Sequence, residues 1–130
     1  MYAVIGRINI VLIIIMTGPF WMSFLSRHNI LQKNSTYVKI LKYFRKIHKP
    51  LGLTLIILGL IHGYLALGGL KIHTGSILWF FLLITAVLGG AFYKTKKKHF
   101  FMFHKRMALA TVIMLLIHLI IPGATYQLFS

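Results

Sequence analysis

Four of the seven histidines lie in apolar stretches at a repeated spacing, and imidazole is a common metal ligand. His62 follows His48 by 14 residues, and His118 follows His104 by the same interval. Fourteen residues at about 100° each fall roughly 40° short of four full turns, so both histidines of one helix face the same way. Their rise is about 21 Å, most of the hydrocarbon thickness of a membrane. Two such helices side by side would offer two imidazole pairs, each suited to the two faces of a planar iron macrocycle such as haem.

The acidic residues and cysteines that many active sites need are missing from this sequence. The chain has 130 residues, with 15 Lys and Arg, no Asp or Glu and no Cys. Without carboxylates there is no Ser-His-Asp triad, no paired-carboxylate glycosidase site and no Mg²⁺ or Ca²⁺ cage. Without cysteines there is no disulfide, iron–sulfur cluster or covalent haem attachment. Chemistry must therefore depend on His, hydroxyls, Lys and Arg, or a bound cofactor.

The two histidine pairs belong to an internal repeat with an offset of 56 residues. The segment FRKIHKPLGLTLIILGLIHG, which begins at Phe44, aligns with FFMFHKRMALATVIMLLIHL, which begins at Phe100. Both histidines and a following lysine match, and such matches are rarer in a membrane protein than apolar ones. An offset that spans two helices predicts a repeat related by an axis along the membrane normal.

Long charge-free stretches predict the elements that carry the histidines. Hydrophobic residues make up 58% of the chain, and its mean hydropathy is +0.84. A membrane helix needs about 20 apolar residues, and four stretches qualify, approximately residues 8–25, 50–70, 75–93 and 100–121. The predicted fold is an all-α integral membrane four-helix bundle, one domain over 1–130, with two haems between the second and fourth helices. Pro19 predicts a kink in the first helix near Gly18.

Residues 37–47, ahead of the second span, combine apolar and basic side chains at helical spacing. They predict an amphipathic segment on the cytoplasmic side. Two arrangements are open: a short helix that lies on the inner membrane surface, or an extension of the second span into water.

The basic residues predict an orientation. The first and third connections carry 13 of them, whereas the N-terminus has Arg7 alone and the second connection Lys71 alone. The positive-inside rule places both basic connections in the cytoplasm and both termini outside, in the cell (inner) membrane. The second and fourth helices then run parallel, so that His48 is level with His104 and His62 with His118.

Small and basic side chains near the histidines suggest further contacts with a macrocycle. Gly52, Leu55 and Gly59 lie on the His48 side of the second helix, and Ala108, Thr111 and Leu115 occupy the equivalent side of the fourth. The small ones would let a porphyrin approach the backbone; close helix packing is the alternative. The candidate partners of haem propionates are the cations beside the inner ligands, namely Arg45, Lys49, Lys105 and Arg106. General positive-inside character explains most of these charges equally well.

The paired IHK…IH and FHK…IH motifs resemble those of transmembrane di-haem cytochromes b, especially the ferric-reductase-like transmembrane domain, over roughly Phe44 to Ile121. The resemblance implies that His48 and His104 ligate an inner haem b, and His62 and His118 an outer one. Ferric reductases usually have six or more helices and a fused flavin/nicotinamide module. This chain has four helices and no G-x-G-x-x-G, so it resembles the haem core alone, an electron-transfer subunit rather than a complete enzyme.

The expected function is electron transfer across the membrane, from a cytoplasmic flavoprotein or ferredoxin-type donor to an outer-side acceptor. Anionic lipid is a further expected partner, and nucleic acid is not. One alternative is a dehydrogenase anchor subunit that handles quinone or oxidises superoxide, in which His73, His99 or Tyr126 would act in place of a carboxylate. Another is a small basic accessory protein without redox chemistry. His28, His73 and His99 are otherwise expected to be solvated.

Overall fold

A computed structural model of the chain describes residues 1–121, and this part is helical without strands. The helices are α1 (Tyr2–Met16), α2 (Gly18–Arg27), α3 (Ser35–Leu67), α4 (Thr74–Thr95) and α5 (Lys98–Ile120). By length and apolar composition four segments of the described chain could cross a membrane: Tyr2–Arg27, Ser35–Leu67, Thr74–Thr95 and Lys98–Ile120. These match the four predicted spans, with boundaries that differ at the ends, and indicate a multi-pass membrane protein.

The first span is interrupted near the predicted kink. Thr17 ends α1, and its backbone N–H donates to the carbonyl of Ile13, while its hydroxyl donates to the carbonyl of Ile14 at 2.8 Å. Pro19 lies in the first turn of α2, where its missing N–H costs no helical hydrogen bond. Because Pro disfavours the helical conformation in the residue before it and lacks an N–H, the position of Pro19 fits a break between α1 and α2.

The second span is longer than predicted, because α3 begins at Ser35 and runs through Pro50 as one helix of 33 residues. The Asn34 side chain accepts the backbone N–H of Tyr37 at 2.9 Å and caps its start. Gly68 ends the helix in the left-handed conformation, with φ of 65°. The amphipathic residues 37–47 are therefore the first part of α3, which is the extension alternative and not a separate helix.

The helices associate mainly as two pairs. The most extensive contacts join α4 to α5 and α1 to α3, with a smaller contact between α3 and α4, whereas α3 and α5 barely touch. Gly75 and Gly89 of α4 lie against His118 and His104 of α5 respectively, so these two helices are antiparallel. Since α3 and α4 are joined by a short connection as well, α3 and α5 run in the same direction, as predicted.

The core of the bundle is small and lies halfway along the spans. Ile13, Leu55 and Leu115 form it, and Leu55 is only 2% exposed. Two hydrogen bonds support it: the Thr85 and Thr111 hydroxyls lie 3.1 Å apart, and Trp79 Nε1 donates to the carbonyl of Ile56 at 2.9 Å. Many large apolar side chains point outward instead, as lipid-facing residues do.

Candidate functional site

The structure brings His48 and His104 together, as predicted from the sequence. Their ring centroids are 6.0 Å apart, with an interplanar angle of 74°. His48 belongs to α3 and His104 to α5, the two helices that otherwise barely touch. Both residues are half-buried. The pair therefore bridges a separation between two helices, where a group bound between the rings would contact both.

At the opposite end of the bundle, the ring partner of His118 is His73, a residue that we expected to be solvated. Their centroids are 6.1 Å apart with an interplanar angle of 88°. His73 precedes α4 and its Nδ1 accepts the backbone N–H of Gly75 at 3.5 Å. His62, the predicted partner, lies near the same end of the bundle, in the last part of α3. Three histidines therefore share this end of the bundle, where the sequence analysis had paired two.

The histidine rings are oriented by hydrogen bonds through Nδ1. His104 Nδ1 donates to the carbonyl of Thr85 at 2.7 Å, and His62 Nδ1 donates to the carbonyl of Tyr2 at 2.8 Å. A carbonyl only accepts, so in both rings Nδ1 carries a proton, and Nε2 is the ring nitrogen that a neutral imidazole would offer to a metal. His118 Nδ1 lies 2.8 Å from the Thr74 hydroxyl. A donated N–H of this kind is typical of metal-ligating histidines, because it fixes the tautomer and the ring orientation.

Glycines of the neighbouring helices make room for these rings. A Cβ at Gly6 would stand 2.9 Å from Cε1 of His62, and one at Gly89 would stand 3.0 Å from Cε1 of His104. In each case the carbonyl that accepts the Nδ1 proton lies four residues before the glycine, one helical turn away on the same face. The same arrangement thus occurs twice, at opposite ends of the bundle.

These glycines were not predicted as site residues, although the spacing of two of them in the sequence indicates the role. A Cβ at Gly75 would stand 3.1 Å from Cε1 of His118, and Gly75 is 14 residues before Gly89, which is the spacing of the two histidines on α5. Equal spacings on two antiparallel helices place each glycine level with one ring.

The glycines that we did single out contact protein side chains instead. A Cβ at Gly52 would lie 3.3 Å from Cε of Met16, and one at Gly59 would lie 3.2 Å from Cδ1 of Trp79. These contacts fit the alternative that Gly52 and Gly59 allow close helix packing; their contact with a porphyrin stays a prediction. In contrast, Leu55, Thr111 and Leu115 are buried in the interior, on the sides where they were predicted.

Two of the four predicted propionate partners lie against aromatic rings. Lys49 Nζ is 2.9 Å from the centroid of Tyr93, whose ring also contacts Lys96 Nζ at 4.3 Å. Lys105 Nζ is 4.5 Å from the centroid of Phe101. Such cation–π contacts hold the ammonium groups at the end of the bundle that contains His48. Arg45 and Arg106 are exposed, and the propionate contacts of all four remain a prediction.

The remaining candidates lie apart from the paired histidines. His28 is exposed with its ring against Phe24, and His99 is exposed with its ring against Phe100. Tyr126 lies outside the described residues. Quinone roles for His73, His99 and Tyr126 remain predictions.

A pair of histidines suits an ion held in a macrocycle better than a bare metal ion. Within residues 1–121, no group of three or more His, Cys, Asp or Glu side chains is arranged to hold a metal ion. A bare structural zinc ion needs about four protein ligands. Two opposed imidazoles fit an ion whose other ligands come from a macrocycle, because haem iron takes only axial ligands from the protein.

Comparisons of the chain with protein-family models, with curated proteins and with solved structures find no match. The fold therefore defines a class only, an all-α multi-pass membrane protein. Its function has to be argued from the geometry of the histidines.

Proposed function

We propose that this protein is a membrane cytochrome b that binds two haem b groups and transfers electrons across the membrane. The observation that carries the proposal is the inner pair, His48 and His104. A centroid separation of 6.0 Å is close to the roughly 6.4 Å between two imidazole rings that bind one ion from opposite sides, with a metal–imidazole bond of roughly 2 Å to each Nε2. The Nδ1 bond of His104 to the Thr85 carbonyl orients the ring and leaves Nε2 as the nitrogen available for that role.

The outer haem would be held by His62 and His118. The Nδ1 atoms of both are engaged, by the Tyr2 carbonyl and by the Thr74 hydroxyl. A bound haem supplies one-electron chemistry, and the potential depends on burial, nearby charge and hydrogen bonds to the ligands. The protein would hold the rings, exclude water with its apolar spans and leave no open axial position for oxygen.

The expected orientation gives the side of the membrane on which an electron donor would bind. The inner pair lies at the basic end, which we place in the cytoplasm, with both termini outside the cell (inner) membrane. Electrons would enter there from a flavoprotein or ferredoxin-type donor and leave toward an outer-side acceptor. Anionic lipid would surround the basic end.

The first experiment is a dithionite-reduced minus oxidised spectrum of the purified protein, with haem counted by pyridine haemochrome. We expect the α-band of haem b and two haems per chain. His48→Leu and His62→Leu should each lose one haem, whereas the exposed His28→Leu, as the matched control, should keep both. If no α-band is seen, the proposal is wrong and the non-redox alternative accounts for the protein; if the band is present but neither ligand variant loses haem, the assignment of His48 and His62 as ligands is wrong.

A second candidate, quinone handling, is favoured by the contact between His73 and His118. His73 is half-buried at the start of α4, where a quinone carbonyl could accept a proton from its ring. His73→Gln should then abolish haem reduction by a quinol while two haems stay bound. Unchanged reduction by quinol would exclude this role.

A further inference from the structure

One helix is too long to be only a membrane span. The 33 residues of α3 rise by about 50 Å, against about 30 Å for the hydrocarbon core and about 40–45 Å for a whole bilayer. The charge-free part begins at Pro50 and covers about 27 Å to Leu67. The preceding residues, 35–49, rise by about 22 Å and extend beyond the hydrocarbon at the end that carries His48.

Four lysines occupy one face of this extension. Measured from Lys39 at about 100° per residue, the other three lie at roughly 300°, 340° and 280°, so all four fall within an arc of about 80°. All four are exposed, and we call them the basic stripe: Lys39, Lys42, Lys46 and Lys49. On the opposite side Tyr37 is buried, and the Phe44 ring packs against Gly18 of α2. The basic stripe therefore faces away from the packed side of the helix.

The distances of the four lysines from Pro50 along α3 distinguish two explanations for their charge, which are membrane orientation and contact with a soluble partner. The headgroup layer of one leaflet is about 5–8 Å thick. Along the helix, Lys46 and Lys49 precede Pro50 by about 6 Å or less, at the depth of lipid phosphates. Lys42 and Lys39 precede it by about 12 and 16 Å, beyond those phosphates. The positive-inside rule explains the charges of Lys46 and Lys49, which lie at the depth of the lipid phosphates. Lys39 and Lys42 lie beyond the phosphates, where they can contact a group in water.

A second basic segment adjoins the stripe only at Lys49, its end nearest the membrane. Tyr93 of α4 contacts both Lys49 and Lys96, which joins the stripe to the connection between α4 and α5. The chain contains no acidic residue that could neutralise this surface. A partner seated on it would lie at the end of the bundle that contains His48 and His104.

We propose that the basic stripe is the docking surface for an acidic soluble protein of the electron-donor class. That the partner is an electron donor rests on the proposed function; the docking itself rests on charge and geometry. Complementary charges steer association and set its rate and salt dependence. The lysines above the headgroups should then matter most for binding.

The test uses the full-length protein in phosphatidylcholine nanodiscs, which carry no net lipid charge, and an acidic ferredoxin as the probe. The Kd is measured by biolayer interferometry at low and at physiological salt. The test variant is Lys39→Glu/Lys42→Glu, and the control with the same charge change is Lys97→Glu/Lys98→Glu. Acidic residues are tolerated at the control site, because it is the N-terminus of α5. Haem content is recorded for each preparation but does not enter the binding readout.

We expect the test variant to weaken ferredoxin binding about tenfold or more at low salt, and the control variant to weaken it about threefold or less. Equal losses in both would show that net charge alone attracts the probe, and absence of binding by the unmodified protein would also overturn the proposal. A repeat in phosphatidylglycerol nanodiscs tests the lipid alternative. If anionic lipid is the true occupant, the unmodified protein and the test variant should bind ferredoxin equally there, whereas a docking stripe keeps the binding of the unmodified protein tighter. Loss of haem with retained docking would refute the proposed function alone.

Discussion

Replacing Gly89 with alanine tests whether the His104 ring is held in place for a ligand. The new Cβ would stand 3.0 Å from both Cε1 and Nδ1 of that ring, where ordinary contacts are 3.4–4 Å. Either the ring or α4 must therefore shift by about 0.4 Å or more. Because Nδ1 is the atom that donates to the Thr85 carbonyl at 2.7 Å, the shift falls on the bond that orients the ring.

Two independent magnitudes lead to the same expected loss. Overpacking of an apolar interior costs about 1–3 kcal/mol. Disturbing the hydrogen bond behind a metal-ligating histidine costs about 10–100-fold in metal affinity, or about 1.4–2.7 kcal/mol. We therefore expect Gly89→Ala to lower haem affinity at the inner site by about 10–100-fold, with the outer site unchanged.

The assay is haem titration of the apoprotein, followed by the α-band and by pyridine haemochrome stoichiometry. Gly90→Ala is the matched control, because nothing lies within 4 Å of a Cβ at that position. Alanine is also the better helix former by about 1 kcal/mol, so the control should fold at least as well. The reasoning is refuted if Gly89→Ala binds two haems with unchanged affinity, or if Gly90→Ala shows the same loss.

Three further predictions use the same preparation. Gly6→Ala should weaken the outer site by about 10–100-fold, whereas Gly63→Ala, which meets nothing within 4 Å, should not; equal haem titrations would contradict this. Thr74→Val should lower outer haem affinity because His118 Nδ1 loses its hydroxyl partner, and Thr74→Ser should restore it; a valine variant with full affinity would count against the contact. Trp79→Phe removes one partly buried hydrogen bond and should lower the free energy of unfolding by about 1 kcal/mol, with haem content unchanged. Selective loss of haem would mean that Trp79 lines a haem site.

The features that the sequence predicted well are those that depend on local pattern. The span positions follow from the length of charge-free stretches, and the common direction of α3 and α5 follows from the distribution of basic residues. The break at Thr17 agrees with the kink predicted from Pro19, although α3 continues through Pro50 and shows that a proline alone does not end a helix. The proximity of His48 and His104 could be predicted because the histidines have equal spacing on two parallel helices.

Other features depend on contacts between segments that are distant in the sequence, and local sequence patterns do not predict such contacts. His73 reaches His118 because the chain between Leu67 and Thr74 turns directly into α4, and that path is a property of the connection. The role of Gly6 depends on the packing of α1 against α3, which are joined through α2 and a loop. The start of α3 was missed because hydropathy detects the apolar part of a helix and not its continuation into water.

The hydrogen bonds of the histidines suggest why α3 and α5 need no extensive contact with each other. The ring of His62 is oriented from α1, and the ring of His104 is oriented from α4. Each histidine is thus positioned by the partner helix within its own pair, α1 with α3 or α4 with α5. The two pairs meet through the small core around Leu55 and Leu115, with imidazoles at both ends. A group bound between opposed imidazoles would connect helices whose ligands are already oriented, so little ordering would have to accompany its binding.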